Sequence, residues 1–163
     1  MKRNIHLASL LIAIAMLMPQ LSWAQAAKAG GYKAPTLSEK YLTALGLGGK
    51  KITEKKTGVW TLPGGITVYS SHPYGDDIRG YSGATPLFIA VNKKGVIQAV
   101  APSVNIESPA YWKKVKDSNL FASWKGLTLK KAATHKVDAI TGATFSSTAV
   151  IKTVQATAKA VGK

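Results

Sequence analysis

The sequence predicts an α+β fold in a single domain, and three observations carry that prediction. Two pairs of β-prone runs are each joined by a Gly-containing turn, helix-start signals follow them, and the chain closes on a long run with apolar residues at helical spacing.

The 163 residues open Met1-Lys2-Arg3, run apolar from Leu7 to Met18, break at Pro19 and offer Ser22-Trp23-Ala24 before Gln25. A basic start, a short apolar stretch and a small-x-small site predict a signal peptide over 1–24, cleaved after Ala24, with Ala27 as the second choice. The apolar run is too short for a comfortable membrane span. Residues 25–35, rich in Ala, Gly and Lys, read as a flexible leader, and 36–163 as the folded domain. This length suffices to bury about two thirds of the surface an unfolded chain would expose.

Ser38 is placed to cap a short helix through Leu45, ended by Gly46. Trp60–Leu62 and Ile66–Ser70 flank Pro63-Gly64-Gly65 and predict a hairpin; His72 to Asp77 reads as a loop. Leu87-Phe88-Ile89-Ala90-Val91 is an almost continuous apolar run. The Asn92-Lys93-Lys94-Gly95 turn then returns Val96–Val100 as its antiparallel partner. Ser108 as cap with Pro109 at the first helical position starts another helix, and Leu120 to Lys125 predicts a second short one, closed by Gly126. Thr128 to His135 reads as a strand or loop. The final helix is expected from about Phe145 to Val161, with Val150, Val154, Thr157 and Val161 on its packed side and Lys152, Gln155 and Lys159 opposite.

Twenty-two basic side chains face seven acidic ones, a formal charge of +15 that loss of Lys2 and Arg3 lowers by two. Such a surface attracts anionic partners such as an anionic membrane surface or an acidic redox protein, or its lysines simply solubilise the chain. Nucleic acid is not expected, because export precedes function and no helix-turn-helix or basic-aromatic platform is present. With no cysteine there is no disulfide, thiolate metal site or thioether-linked haem. No Walker or dinucleotide loop, paired carboxylates or Ser-His-Asp set supports a hydrolase or kinase. His72 and His135 lack ligand-spaced partners, so no metal is assigned. His135 reads as a loop residue or as a proton donor to a nearby cofactor.

The chemistry concentrates in Asp138-Ala139-Ile140-Thr141-Gly142-Ala143-Thr144, a loop that opens the last helix. Thr144 falls at the helix start, where unpaired N–H groups and the positive end of the dipole favour a phosphate. Gly142 and Ala143 keep the approach open, and Asp138 is placed to hydrogen-bond forward into the turn. The alternative is a helix capped by Thr141, Thr144 or Ser146 with nothing bound.

The spacing Asp-x-x-Ser/Thr-Gly-Ala-Ser/Thr resembles the flavinylation motif of the FMN-binding domain family, whose members include flavin-bearing components of sodium-translocating NADH:quinone oxidoreductases and of Rnf-type complexes. The resemblance extends over Gly80-Tyr81-x-Gly83-x-x-Pro86 and, with Ser for Thr and Ala for Gly, over Glu107-Ser108-Pro109-Ala110. It implies an antiparallel sheet flanked by helices, with FMN joined by a phosphoester to the Thr144 hydroxyl. Asp138, Thr141, Gly142 and Ala143 would form the recognition loop, and Gly83 and Glu107 lie in segments near the cofactor. It also implies a separate flavin transferase for maturation. Ser82-Gly83-Ala84-Thr85 repeats the motif's core but has Arg79 in place of Asp and Pro86 leading into a strand. That segment is expected to be structural, or to approach the flavin through its glycines. Tyr111, Trp112, Phe121 and Trp124 are candidates for lining the ring or for the core.

These readings combine into an exported, periplasmic flavoprotein electron carrier that relays electrons between membrane-associated and soluble partners. It would be a carrier rather than a complete enzyme, because no second cofactor motif or substrate domain accompanies the flavin segment. The alternatives are a non-covalent FMN-binding or sensing module and a cofactor-free basic envelope-binding domain.

Overall fold

The computed structural model describes residues 35–163, so the signal peptide and nearly all of the leader lie outside the described residues. Ten elements follow in order. They are α1 (Glu39–Ala44), β1 (Thr53–Lys56), β2 (Val59–Leu62), β3 (Ile66–Ser70), β4 (Leu87–Val91), β5 (Ile97–Pro102), α2 (Pro109–Asp117), a 3₁₀ turn (Leu120–Ala122), α3 (Leu129–Ala132) and α4 (Thr144–Val161). The strands form one antiparallel sheet in the order β1-β2-β3-β4-β5, so each strand pairs with its neighbour in sequence. This is the α+β class expected, with the sheet flanked by helices.

The expected hairpins form where the turn residues put them. Leu62 pairs with Ile66 across Pro63-Gly64-Gly65, and both glycines take a positive φ, which a side chain would oppose. In the β4–β5 turn Asn92 Oδ1 accepts from the N–H groups of Lys94 and Val96. Val91 then pairs with Ile97. Val96 leaves the sheet and bridges Thr128 instead.

The apolar run of β4 is explained by burial on both faces. Alternation sends Leu87, Ile89 and Val91 to one side, where they pack with Val115, Trp124, Leu129, Val150 and Val154 from the helices. Phe88 and Ala90 point the other way, against Trp60, Val68, Leu42 of α1 and Leu45 just after it. Tyr41 and Trp60 bring rings to Phe88 at 4.8 and 5.8 Å. On α4 the side bearing Val150, Val154 and Thr157 is buried, and Lys152 and Lys159 are exposed, as the spacing predicts.

Three expectations are corrected. Edge strand β1 was not anticipated, because Thr-Glu-Lys-Lys is exposed at every position and shows no alternation. The segment from Thr128 is helical rather than strand or loop. Thr128 Oγ1 accepts from the Lys131 N–H at 3.3 Å, and Leu129 and Ala132, three residues apart, bury on one side. Leu120 to Lys125 makes only a 3₁₀ turn before Gly126 reverses the chain at φ 84°.

Candidate functional site

Two loops and two helix starts meet around one carboxylate. Ser108 and Pro109 open α2 at the expected positions, although the Ser108 hydroxyl makes no capping bond. Glu107, just before them, is 6% exposed. Its carboxylate accepts from three consecutive backbone N–H groups, those of Tyr81 at 3.0 Å, Ser82 at 2.8 Å and Gly83 at 2.9 Å. The Ser146 hydroxyl, in the first turn of α4, donates to the same carboxylate. Burial pushes the Glu107 carboxyl upward, but the Ser146 hydroxyl and the three N–H groups outweigh it and hold the group below the usual glutamate range.

This arrangement gives the Ser82–Thr85 echo a structural role. Its N–H groups could in principle bind a phosphate, yet an internal carboxylate already occupies them. Gly80 N–H closes the turn onto the Gly83 carbonyl at 2.7 Å, and Arg79 bridges Ala84. A Cβ on Gly80 would lie 2.8 Å from Glu107 Oε1, so glycine is needed there for close approach. Glu107 spends its oxygens on positioning the loop and the helix.

The motif loop is held from the helix. Ala143 N–H bonds the Ile140 carbonyl at 2.9 Å, with Gly142 at φ 74° inside the turn. Ser147 Oγ accepts from the Ile140 N–H at 2.9 Å and donates back to the Ala143 carbonyl. The bond expected from Asp138 is not made. Asp138 is exposed, without a side-chain hydrogen bond or ion pair among the described residues, and Ser147 ties the turn in its place. Thr141, Gly142 and Thr144 are exposed and Ala143 is buried. Thr144 is the first residue of the 18-residue α4. It, Phe145 and Ser146 have no carbonyl one turn back within the helix for their N–H groups.

Lys114 completes the setting. Its ammonium lies 2.7 Å from where a Gly142 Cβ would stand, so α2 delivers a cation onto the motif loop. The same loops and helix starts carry exposed apolar side chains: Phe145 at 71%, Ile106 at 73%, Tyr81 at 58% and Tyr111. Tyr81 and Tyr111 meet edge to face at 5.0 Å, and Ile106 covers Gly83. Of the four aromatics considered for lining a ring, only Tyr111 is exposed here. Trp124 is fully buried, and Trp112 and Phe121 pack against the core. His135 holds its carbonyl on Gln155 Nε2 at 2.9 Å, about 16 Å along α4 from Thr144, too far to serve its hydroxyl.

Lys114 and Ser147 were not singled out from the sequence, Ser146 was named only as an alternative cap, Tyr81 only within the Gly80–Pro86 segment and Phe145 only as a helix start. Phe145 carried a signal in being apolar on the first turn of the helix yet outside its packed row. A buried cavity for a ring is not required by this geometry. Donors and a cation for a phosphate, a free hydroxyl and an open apolar surface suit a flavin phosphate anchored at the helix start.

These features suit the phosphate of a flavin, and comparison with known proteins identifies an FMN-binding domain. Residues 80–159 match the model of the FMN-binding domain family, and this segment is an FMN-binding domain. The match runs from the Glu107-bound turn to the last turn of α4. No curated protein matches the chain.

Proposed function

We propose that this chain is an exported electron carrier whose FMN is joined through its phosphate to the Thr144 hydroxyl, relaying electrons between membrane-associated and extracytoplasmic redox partners. The observation that carries the reading is the exposed hydroxyl of Thr144 at the first residue of a long helix, beside a Gly142 turn on which the Lys114 ammonium rests. The Asp-x-x-Thr-Gly-Ala-Thr spacing and the family match support the same assignment.

Each residue has a physical task in it. Thr144 Oγ1 takes the flavin-side phosphorus of FAD, losing its proton as the pyrophosphate bond breaks and AMP leaves, with a separate flavin transferase as catalyst. The free N–H groups of α4 and the Lys114 ammonium stabilise the single negative charge of the resulting phosphodiester. Gly142 keeps the turn low enough for Lys114 to reach. Tyr81, Tyr111, Ile106 and Phe145 offer the apolar surface on which a flat ring can rest. FMN supplies the redox chemistry that the side chains lack. A covalent bond suits export, since a lost cofactor would be diluted with no pool to replace it.

The test is Thr144→Ala, expressed in a host with the transferase and compared with wild type by intact mass and visible spectrum after denaturation. Wild type is expected to keep flavin on the denatured polypeptide, and the variant to carry none. A variant that still bears flavin on the polypeptide sinks the assignment. Wild-type protein that releases its flavin on denaturation favours the non-covalent module, and colourless wild type favours the basic envelope-binding domain.

A further inference from the structure

The C-terminal end of helix α4 stands beside a basic concavity. Beyond its last residues lies a cavity of about 360 Å³, bordered by Val161 and Gly162. Eighteen helical residues place it roughly 27 Å from Thr144. Lys93 and Lys94 reach it from the β4–β5 turn, Lys130 from α3 and Lys163 from the segment after α4. All four are exposed. Thr67 and Thr128 add hydroxyls, and among the described residues no Asp or Glu side chain lines the cavity. The turn bearing Lys93 and Lys94 is braced by Asn92, whose Oδ1 accepts from two backbone N–H groups.

We propose that this cavity is where the protein docks on an anionic lipid surface, by receiving a phosphate head group. Four lysines bordering one concavity without a counter-carboxylate favour an anion, and lysine acts on phosphate as a mobile point charge. The hydroxyls suit the polar substituents of a head group. A concavity of this size admits one such group rather than the face of a folded acidic protein. The excess of basic over acidic side chains, which loss of Lys2 and Arg3 leaves large, supplies the longer-range attraction to a negative bilayer. Docking through this end leaves Thr144 a helix length away, open to a redox partner. The proposal does not depend on the flavin.

The experiment is sedimentation of the protein with phosphatidylcholine vesicles, with and without phosphatidylglycerol, at low and high salt. Wild type is expected to bind only the vesicles with phosphatidylglycerol, and to release in salt. Each lysine lost from a contact with such a surface weakens binding about fivefold, so Lys93→Gln with Lys130→Gln is expected to lose about 25-fold. The control pair Lys55→Gln with Lys116→Gln, on β1 and α2, makes the same change in net charge and is expected to lose far less. Equal losses in the two pairs overturn the proposal, because attraction would then follow net charge alone. Saturable binding of glycerol 3-phosphate without preference for anionic vesicles also overturns it, in favour of a free phosphate ligand.

Discussion

Replacing Glu107 by Ala removes the acceptor of the Tyr81, Ser82 and Gly83 N–H groups and of the Ser146 hydroxyl at once. The Gly83 bond is buried and the other two backbone bonds are part-buried. A stranded buried donor costs about 1–3 kcal/mol, while donors that recruit water lose about 0.5–1 kcal/mol each. The expected destabilisation is therefore about 3 kcal/mol, a fall in melting temperature of about 12 °C for a domain of this size. Glu107→Gln keeps one acceptor oxygen for Ser82 and Gly83 but turns an NH₂ toward the Tyr81 N–H, so about half that loss is expected. The sign with pH follows from the carboxyl being held below its ordinary value of 4.5. Its stabilisation is complete above that value and disappears as pH falls through the lower folded-state value. Urea unfolding of wild type and Glu107→Gln, followed by circular dichroism from neutral pH into acid, should show a steady gap that begins to close only once pH falls below 4.5. A neutral-pH gap under about 0.5 kcal/mol, or one that widens in acid, would refute the reasoning.

Two further predictions concern the neighbours of that carboxylate and of the motif loop. Gly80→Ala drives a methyl to within 2.8–2.9 Å of the Glu107 carboxyl, and should cost about 2–3 kcal/mol by displacing it. In the double variant with Glu107→Ala the costs should fall well short of additive, measured by urea midpoints. Lys114→Glu places a negative charge beside Gly142 and should slow flavin incorporation by purified transferase and FAD about tenfold at low salt. The melting temperature should barely move, because Lys114 is exposed; unchanged incorporation would remove Lys114 from the site.

Local signals carried much of the fold. The Gly64-Gly65 and Asn92–Gly95 turns, the Ser108-Pro109 helix start and the valine row of α4 each declare themselves within a few residues, and each stands where it was expected. What escaped lacks a local period. Strand β1 is held by pairing Thr53 with Thr61 and Glu54 with Trp60, not by a buried face of its own. Helix α3 is too short for a repeat. In the site, the motif loop was legible because its residues are contiguous. Glu107 stood out only by resemblance, and its use of three N–H groups some 25 positions away could not be inferred from spacing. Lys114 reaches Gly142 across the gap between two helices, a contact made by tertiary packing. The Asp138 expectation followed a common turn habit, and lost to Ser147, which the first turn of α4 delivers directly onto Ile140.

Thr144 belongs to the helix rather than to the loop before it, and so a cofactor rooted on it hangs from a fixed point. A ring on a short tether of this kind sweeps a small shell and meets the neighbouring surface at an effective concentration on the order of millimolar. A stacking contact too weak to capture a diffusing flavin is then occupied most of the time. On the proposed Thr144 linkage, the surface around Tyr81, Tyr111 and Phe145 would have only to orient the ring, not to retain it. An open apolar shelf would then suffice where a dissociable cofactor demands a deep cleft, and the ring's edge would stay within reach of an electron acceptor.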